Sequence, residues 1–98
     1  MPDIKLPEKS GEYKFILAEL EGKTHFRFGR SSVYHDTILE EFKEETESEE
    51  VVIRGGGRFD IDTEKKTLRF FGKSKVFGRF DEEKLKNLDF GEFEITVE

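Results

Sequence analysis

The first part of the chain alternates apolar and polar residues in patterns that predict a β-hairpin. Six apolar residues fall between Glu12 and Glu21, which is typical of a strand covered on both faces. Gly22 suits a tight turn, and from Thr24 to Phe28 apolar and polar residues alternate with a period of two. We therefore expect these two segments to pair as antiparallel neighbours.

The spacing of apolar residues then changes, which predicts a helix. Tyr34, Ile38 and Phe42 recur at every fourth position, as on one face of an α-helix. Ser31–Ser32 supplies an N-cap residue, because a serine oxygen can accept from the first free backbone N–H groups. The segment 40–50 is nearly all acidic, and we interpret it as the solvated end of this helix rather than as a binding tail.

The second part of the chain predicts further strands and a shorter helix. A strand begins at 51–53, is interrupted at Gly55–Gly57 by a bulge or bend, and resumes at 58–61. The elements that follow are a returning strand at Thr67–Phe71, a glycine-bounded loop or bent strand at Gly72–Gly78, a helix capped by Asp81, and a last strand with apolar Phe93, Ile95 and Val97.

This order of elements predicts an α+β fold. We expect one small domain with a mixed, mostly antiparallel sheet of about six strands and two helices packed on it. The domain occupies residues 11–98, and residues 1–10, which contain two prolines, form an extended N-terminal leader.

Composition narrows the classes of function. The 98 residues carry a net charge of −6, which argues against binding to nucleic acid or to an anionic membrane. Cysteine is absent, which excludes disulfides, thiolate metal sites and a cysteine nucleophile, and two histidines alone do not build a usual zinc site. Without a membrane span or a secretory signal in the sequence, we expect a soluble, cytoplasmic, monomeric protein.

His35 is the residue most suited to chemistry. It falls in the first turn of the predicted helix, where free backbone N–H groups and the helix dipole favour an anion such as phosphate or sulfate. The same dipole disfavours imidazolium, so a neutral His35 could accept a proton near neutral pH. The structural alternative, a surface or half-buried helix residue, stays open, and His25 on the second strand is more ordinary still.

Several cations could surround His35. Those nearest in the predicted elements are Lys14, Arg27, Arg30, Arg58, Lys73 and Lys75. Each alone is an ordinary surface residue, but in an acidic chain their convergence on one place would indicate an anion site.

Four segments, in their order along the chain, match the pattern of one known family. They are Tyr13-Lys14-Phe15-Ile16-Leu17, Tyr34-His35-Asp36, Gly55-Gly56-Gly57-Arg58, and Phe71-Gly72-Lys73-Ser74-Lys75-Val76-Phe77-Gly78. In these segments the chain resembles the Janus/Ocnus family, which includes phosphohistidine phosphatases. The resemblance spans nearly all of residues 11–98.

The resemblance implies hydrolysis of the P–N bond of phosphohistidine in a protein or peptide, without a metal or other cofactor. His35 then takes the family's catalytic position as general base toward the attacking water. The competing assignment makes His35 the nucleophile, which becomes transiently phosphorylated. Lys14 corresponds to the family's pocket lysine.

The resemblance also implies how the phosphate is held. Backbone N–H groups of His35, Asp36 and the loop Ser74–Val76 would surround it, together with the Ser74 hydroxyl and the Lys14 ammonium. The remaining candidate binding residues are Lys75, Val76, Arg58 and Arg27.

Asp36 departs from the family pattern, in which a small neutral residue is usual beside the phosphate. A carboxylate facing the pocket would repel phosphate, whereas one that only complements the helix dipole is structural, and we favour the second use. Two alternatives follow from this departure and from the limits of fold analogy. One is a non-catalytic phosphate- or phosphopeptide-binding module, and the other is a small structural or partner-binding domain.

Overall fold

One five-stranded sheet and two helices account for the regular structure of residues 3–98, the part of the chain that the computed structural model describes. The elements are β1 (Gly11–Leu20), β2 (Lys23–Arg30), α1 (His35–Thr46), β3 (Val52–Asp62), β4 (Thr67–Phe71), α2 (Glu82–Lys86) and β5 (Glu94–Val97). The strand order is β2-β1-β3-β4-β5, and every pair is antiparallel except β4 with β5. The predicted α+β class with two helices is confirmed.

The sheet has five strands, close to the six expected, because the glycine-bounded segment 72–78 is a loop and not a bent strand. β3 runs through Gly55–Gly57 as one strand, and the predicted bulge is confirmed there. Between the pairs Ile16–Gly56 and Ala18–Ile53, two residues of β3, Arg54 and Gly55, lie opposite one residue of β1. Residues 72–78 form a loop closed by a single bridge between Ser74 and Gly78.

The predicted hairpin is confirmed, and its turn explains its register. β1 and β2 pair from Leu20 and Lys23 outward, which leaves Glu21 and Gly22 as a two-residue loop. Both loop residues have positive φ, 54° at Glu21 and 78° at Gly22. Turns of this hand match the twist of the two strands that they join.

The described part of the predicted leader lies along the edge of β2. Ile4 forms a parallel bridge with Phe26, the Phe26 N–H donates to the Asp3 carbonyl, and the Lys5 N–H donates to the Phe26 carbonyl. Met1 and Pro2 lie outside the described residues. These bonds cover part of a sheet edge that would otherwise offer unpaired backbone groups.

One face of the sheet buries a cluster of phenylalanines. The Phe15 ring is fully buried, and its centroid lies 5.1 Å from the centroids of both Phe26 and Phe80. Leu85 of α2 belongs to the same cluster, and the Asp81 side chain accepts from the Lys84 N–H, as the predicted N-cap requires. Aromatic pairs of this kind add about 0.5–1.5 kcal/mol each to the free energy of burial.

α1 covers part of the other face, where Ile38 and Phe42 are buried. The predicted stripe is wrong at its first member, because Tyr34 precedes the helix and is 74% exposed, while His35 is turned inward. The predicted serine cap is also wrong. The Val33 N–H donates to the Arg30 carbonyl, so residues 30–33 form a turn and the backbone becomes helical only after Tyr34.

Candidate functional site

A cleft of about 360 Å³ opens at the N-terminal end of α1, and we call it the cationic cleft. Its lining comes from β1, β3, α1 and the loop 72–78, and consists of Lys14, Tyr34, His35, Asp36, Arg58, Lys73, Lys75 and Val76. A larger and more open groove of about 480 Å³ lies over β3 and β4, where Arg69 pairs with Asp60. His35, the candidate general base, lines the cleft and does not line the larger groove.

Gly56 makes room for the His35 ring against the sheet. A Cβ atom at residue 56 would lie 2.5 Å from the Phe15 carbonyl oxygen and 3.1 Å from His35 Cδ2. Gly55 has a φ of 83°, and a Cβ there would lie 2.1 Å from the Arg79 carbonyl oxygen. The glycine run therefore allows both the histidine and the chain at Arg79 to approach β3 closely.

The sheet fixes which nitrogen of His35 carries the proton. The His35 ring is 8% exposed, and its Nε2 lies 3.0 Å from the Gly57 carbonyl oxygen. A carbonyl oxygen only accepts, so Nε2–H is the donor. In the neutral ring the lone pair is then on Nδ1, which is the atom that can accept a proton or attack an electrophile.

The surroundings of His35 keep the ring neutral. Its pKa is lowered from the ordinary 6.5, first by burial and then by the positive charges of Lys14 and Arg58. The Gly57 carbonyl and the Asp36 carboxylate act in the opposite direction but are outweighed. A neutral imidazole at pH 7 satisfies the first requirement of a general base.

Backbone N–H groups at the cleft are left for a ligand. Tyr34 is the N-cap of α1, and its carbonyl accepts from Thr37 and Ile38. Within residues 3–98 the N–H groups of His35 and Asp36 have no acceptor. Because the positive end of the helix dipole lies here too, these N–H groups favour an anion.

The lysines of the cleft have no carboxylate partner among residues 3–98. Over the described part of the chain, Lys14, Lys73 and Lys75 form no salt bridge, whereas Arg58 Nη1 lies 2.9 Å from Glu12 Oε2. Of the six cations that the sequence suggests around His35, four line the cleft (Lys14, Arg58, Lys73 and Lys75), whereas Arg27 and Arg30 do not. Such a cluster in a chain of net charge −6 is a local positive field.

Ser74 supports the loop of the cleft from beneath. It is 1% exposed and does not line the cleft, and its Oγ accepts from the N–H groups of Val76 and Phe77. The Ser74 N–H donates to the carbonyls of Gly56 and Gly78. The phosphate-binding roles of Ser74 and of the Val76 N–H stay predictions. Among residues 3–98 the Lys75 N–H has no acceptor.

Asp36 and Val76 line the cleft as exposed side chains. Asp36 lies in the first turn of α1, where a carboxylate complements the helix dipole. It also lies beside the N–H groups of the cleft that have no acceptor within residues 3–98. Its position is therefore compatible with both roles considered from the sequence, repelling phosphate or complementing the helix dipole.

Arg27 is not brought to the cleft. It lies near the other end of α1, with 5% of its side chain exposed, and its guanidinium donates from Nε and Nη2 to both oxygens of Glu45 at 3.0 and 2.7 Å. Lys5 Nζ lies 3.1 Å from the same carboxylate. We call Lys5, Arg27 and Glu45 the Arg27 cluster.

The sequence names Lys73 among the cations that could surround His35 but does not assign it to phosphate binding, and it does line the cleft. The Gly57 carbonyl carries no sequence signal as an acceptor, since backbone groups are alike in every residue. Over residues 3–98 no group of three or more histidine or acidic side chains is arranged to hold a metal ion. No helix in that range is long and apolar enough to cross a membrane.

Comparison with known proteins gives a consistent assignment. The sequence model described as the Janus/Ocnus family (Ocnus) matches residues 1–94. The sex-regulated protein janus-B of Drosophila erecta is 27% identical over 110 aligned positions, which cover 99% of this chain and 77% of that protein. The janus-B proteins of Drosophila melanogaster and Drosophila yakuba are each 26% identical over the same coverage.

Proposed function

The chain belongs to the Janus/Ocnus family, and from this premise we propose that it is a phosphatase that hydrolyses the P–N bond of phosphohistidine in proteins or peptides. The observation that supports this most strongly is a buried, neutral His35 at the start of a helix, in a cleft with three lysines that form no salt bridge to any of residues 3–98. A base, free N–H donors and unpaired cations are the groups that phosphoryl transfer to water requires.

The phosphoryl group would bind at the N-terminal end of α1. Its oxygens would accept from the N–H groups of His35, Asp36 and Lys75, which have no acceptor within residues 3–98, and the Lys14 ammonium would offset their charge. These donors are held by the helix and by the loop before substrate arrives. Donors that are fixed in advance cost little reorganisation when charge develops on the phosphoryl oxygens.

His35 would act as the general base. Its Nδ1 accepts a proton from water while the water oxygen forms a bond to phosphorus. The P–N bond breaks, its electron pair goes to the leaving nitrogen, and that nitrogen takes a proton from solvent, to which Nδ1 later releases its own. The hydrogen bond from Nε2 to the Gly57 carbonyl holds the ring and strengthens as the ring becomes positively charged.

The nucleophilic route uses the same atom. In that route Nδ1 attacks phosphorus directly, and water then hydrolyses a phosphorylated His35. The two routes differ in one observable, since only the second produces an enzyme that carries a phosphoryl group. Mass spectrometry of a reaction stopped during turnover distinguishes them.

The activity is tested by phosphate release from a phosphohistidine peptide in the presence of EDTA. We expect release from this peptide and from phosphoramidate, and none from a phosphoserine peptide. The imidazole and amine leaving groups are released readily, whereas a serine alkoxide is not. Failure to release phosphate from either P–N substrate, or loss of the activity with EDTA, would contradict the proposal.

A second function has a specific observation in its favour. Asp36 lines the cleft beside the phosphate position, and a carboxylate there opposes the negative charge that turnover would develop on the phosphoryl oxygens. A non-catalytic phosphate-binding module of the same fold is therefore the alternative. It predicts saturable binding of a phosphohistidine analogue without turnover, in wild type and in Asp36→Asn alike. Cytoplasmic location and a monomeric state stay predictions from the sequence.

A further inference from the structure

Two exposed apolar side chains lie at the cationic cleft. Tyr34 is 74% exposed and Val76 is 64% exposed, and they come from separate elements, the N-cap position of α1 and the loop 72–78. Across residues 3–98 the other large exposed hydrophobic side chain is Val52, which does not line the cleft. Single exposed apolar residues are ordinary, but two at one charged cleft require a reason.

The Tyr34 ring borders the proposed phosphoryl position. Lys14 Nζ lies 5.7 Å from the centroid of this ring, which is within the range of a cation–π contact. Tyr34 also directly precedes His35, whose Nδ1 would accept the proton. A substituent on the bound phosphorus would therefore extend away from the cations that hold the phosphoryl oxygens and contact the tyrosine ring.

We infer that Tyr34 and Val76 form a subsite for a planar aromatic leaving group, the imidazole of phosphohistidine, and select it over the alkyl chain of phospholysine. This inference rests on the proposed function. A flat ring stacks on an aromatic face, and the valine adds apolar contact. When the imidazole is protonated, as it is when it leaves most readily, the electron-rich face of Tyr34 attracts it although lysines surround it.

The subsite is tested by binding, without turnover. Isothermal titration calorimetry compares triazolylphosphonate, which carries a flat ring on phosphorus, with n-butylphosphonate, which carries an alkyl chain. We expect Tyr34→Ala to reduce the ratio of the two affinities about tenfold, as stacking energies of this size imply. Tyr34→Phe keeps the ring and should keep the ratio, and Val52→Ala is the control for loss of an exposed apolar side chain elsewhere.

Each outcome decides the inference. Equal affinity of wild type for the two phosphonates, or a ratio that Tyr34→Ala leaves unchanged, would overturn it. The outcome for the proposed function is separate. If the protein binds the triazolylphosphonate through Tyr34 but hydrolyses no phosphohistidine peptide, the subsite is supported and the proposed phosphatase activity is contradicted. Thermal unfolding of each variant checks that the exposed substitutions leave the fold intact.

Discussion

Positively charged side chains lie near both ends of α1, but they differ in whether a carboxylate neutralises them. Near the C-terminal end, Glu45 takes up the charge of the buried Arg27 through two hydrogen bonds. At the N-terminal end, the three lysines of the cationic cleft form no salt bridge within residues 3–98.

This contrast distinguishes a cation that the fold neutralises from cations that remain available to an anion. A charge that the fold itself neutralises contributes to stability and has little left for a ligand. A charge that the fold leaves without a partner raises the energy of the free protein and is offset when an anion binds. The helix dipole adds to the contrast, since its positive end is at the cleft and its negative end faces the Arg27 cluster.

The largest expected effect distinguishes the two histidines, which lie toward opposite ends of α1. His35→Gln keeps a donor for the Gly57 carbonyl but removes the base, so we expect turnover of a phosphohistidine peptide to fall about 10²–10⁴-fold. His25→Gln is the matched control, because His25 contacts Phe42 and does not line the cleft. Steady-state kinetics measures both, and equal loss in the two variants would contradict the assignment.

The next effect concerns stability at the other end. Arg27→Met removes a buried guanidinium and should lower the free energy of unfolding by about 2 kcal/mol. This is less than the roughly 3–5 kcal/mol typical of a broken buried pair, because Glu45 is 25% exposed and keeps Lys5. Denaturant unfolding measures the loss. Arg58→Met, which breaks an exposed pair with Glu12, should cost less than about 1 kcal/mol.

A smaller effect is expected on anion affinity. Lys14→Ala should weaken the binding of inorganic phosphate about tenfold, since it removes a full charge that has no carboxylate partner within residues 3–98. Lys5→Ala removes a lysine that already pairs with Glu45 and should leave the affinity unchanged. Calorimetric titration of both variants checks the difference, and a similar loss in both would show that only total charge matters.

The smallest effect is a difference in pH dependence. The pKa of His35 is lowered, mainly by burial, so kcat/KM should rise with pH to a plateau with a midpoint below 6.5. The pKa of Glu45 is lowered to about 2 by its bonds to Arg27, so its contribution to stability is complete above about 4.5 and is lost as pH falls toward 2. A pH–rate profile and acid unfolding curves test the two windows. A kinetic midpoint above 6.5 would contradict the neutral imidazole.

Much of the fold follows from local pattern. The hairpin, the fully buried centre of β1 and the Asp81 cap each depend on residues close in sequence, and all are confirmed. The start of α1 could not be predicted as well, because two serines offered a cap earlier than the turn after β2 allows. For the same reason, Tyr34, which the spacing places on the buried face of the helix, precedes the helix and is exposed, and His35 is the residue turned inward.

The sequence identified the cations that converge on the cleft with His35. It could not show which of the candidate residues lie elsewhere or are already engaged by other groups. Spacing cannot show that Arg27 meets Glu45, since the two lie on different elements and pair only through packing. Nor can it show that the Ser74 hydroxyl is engaged by the N–H groups of its own loop. Both facts depend on three-dimensional geometry rather than on residue type.

The central claim is that the N-terminal end of α1 holds a phosphoryl group over His35, and a phosphate titration followed by two-dimensional NMR tests it most directly. The account predicts saturable shifts of the His35, Asp36 and Lys75 amide signals, and unchanged signals for Arg27 and Phe42. Shifts that do not saturate, or that are largest around the Arg27 cluster, would contradict it.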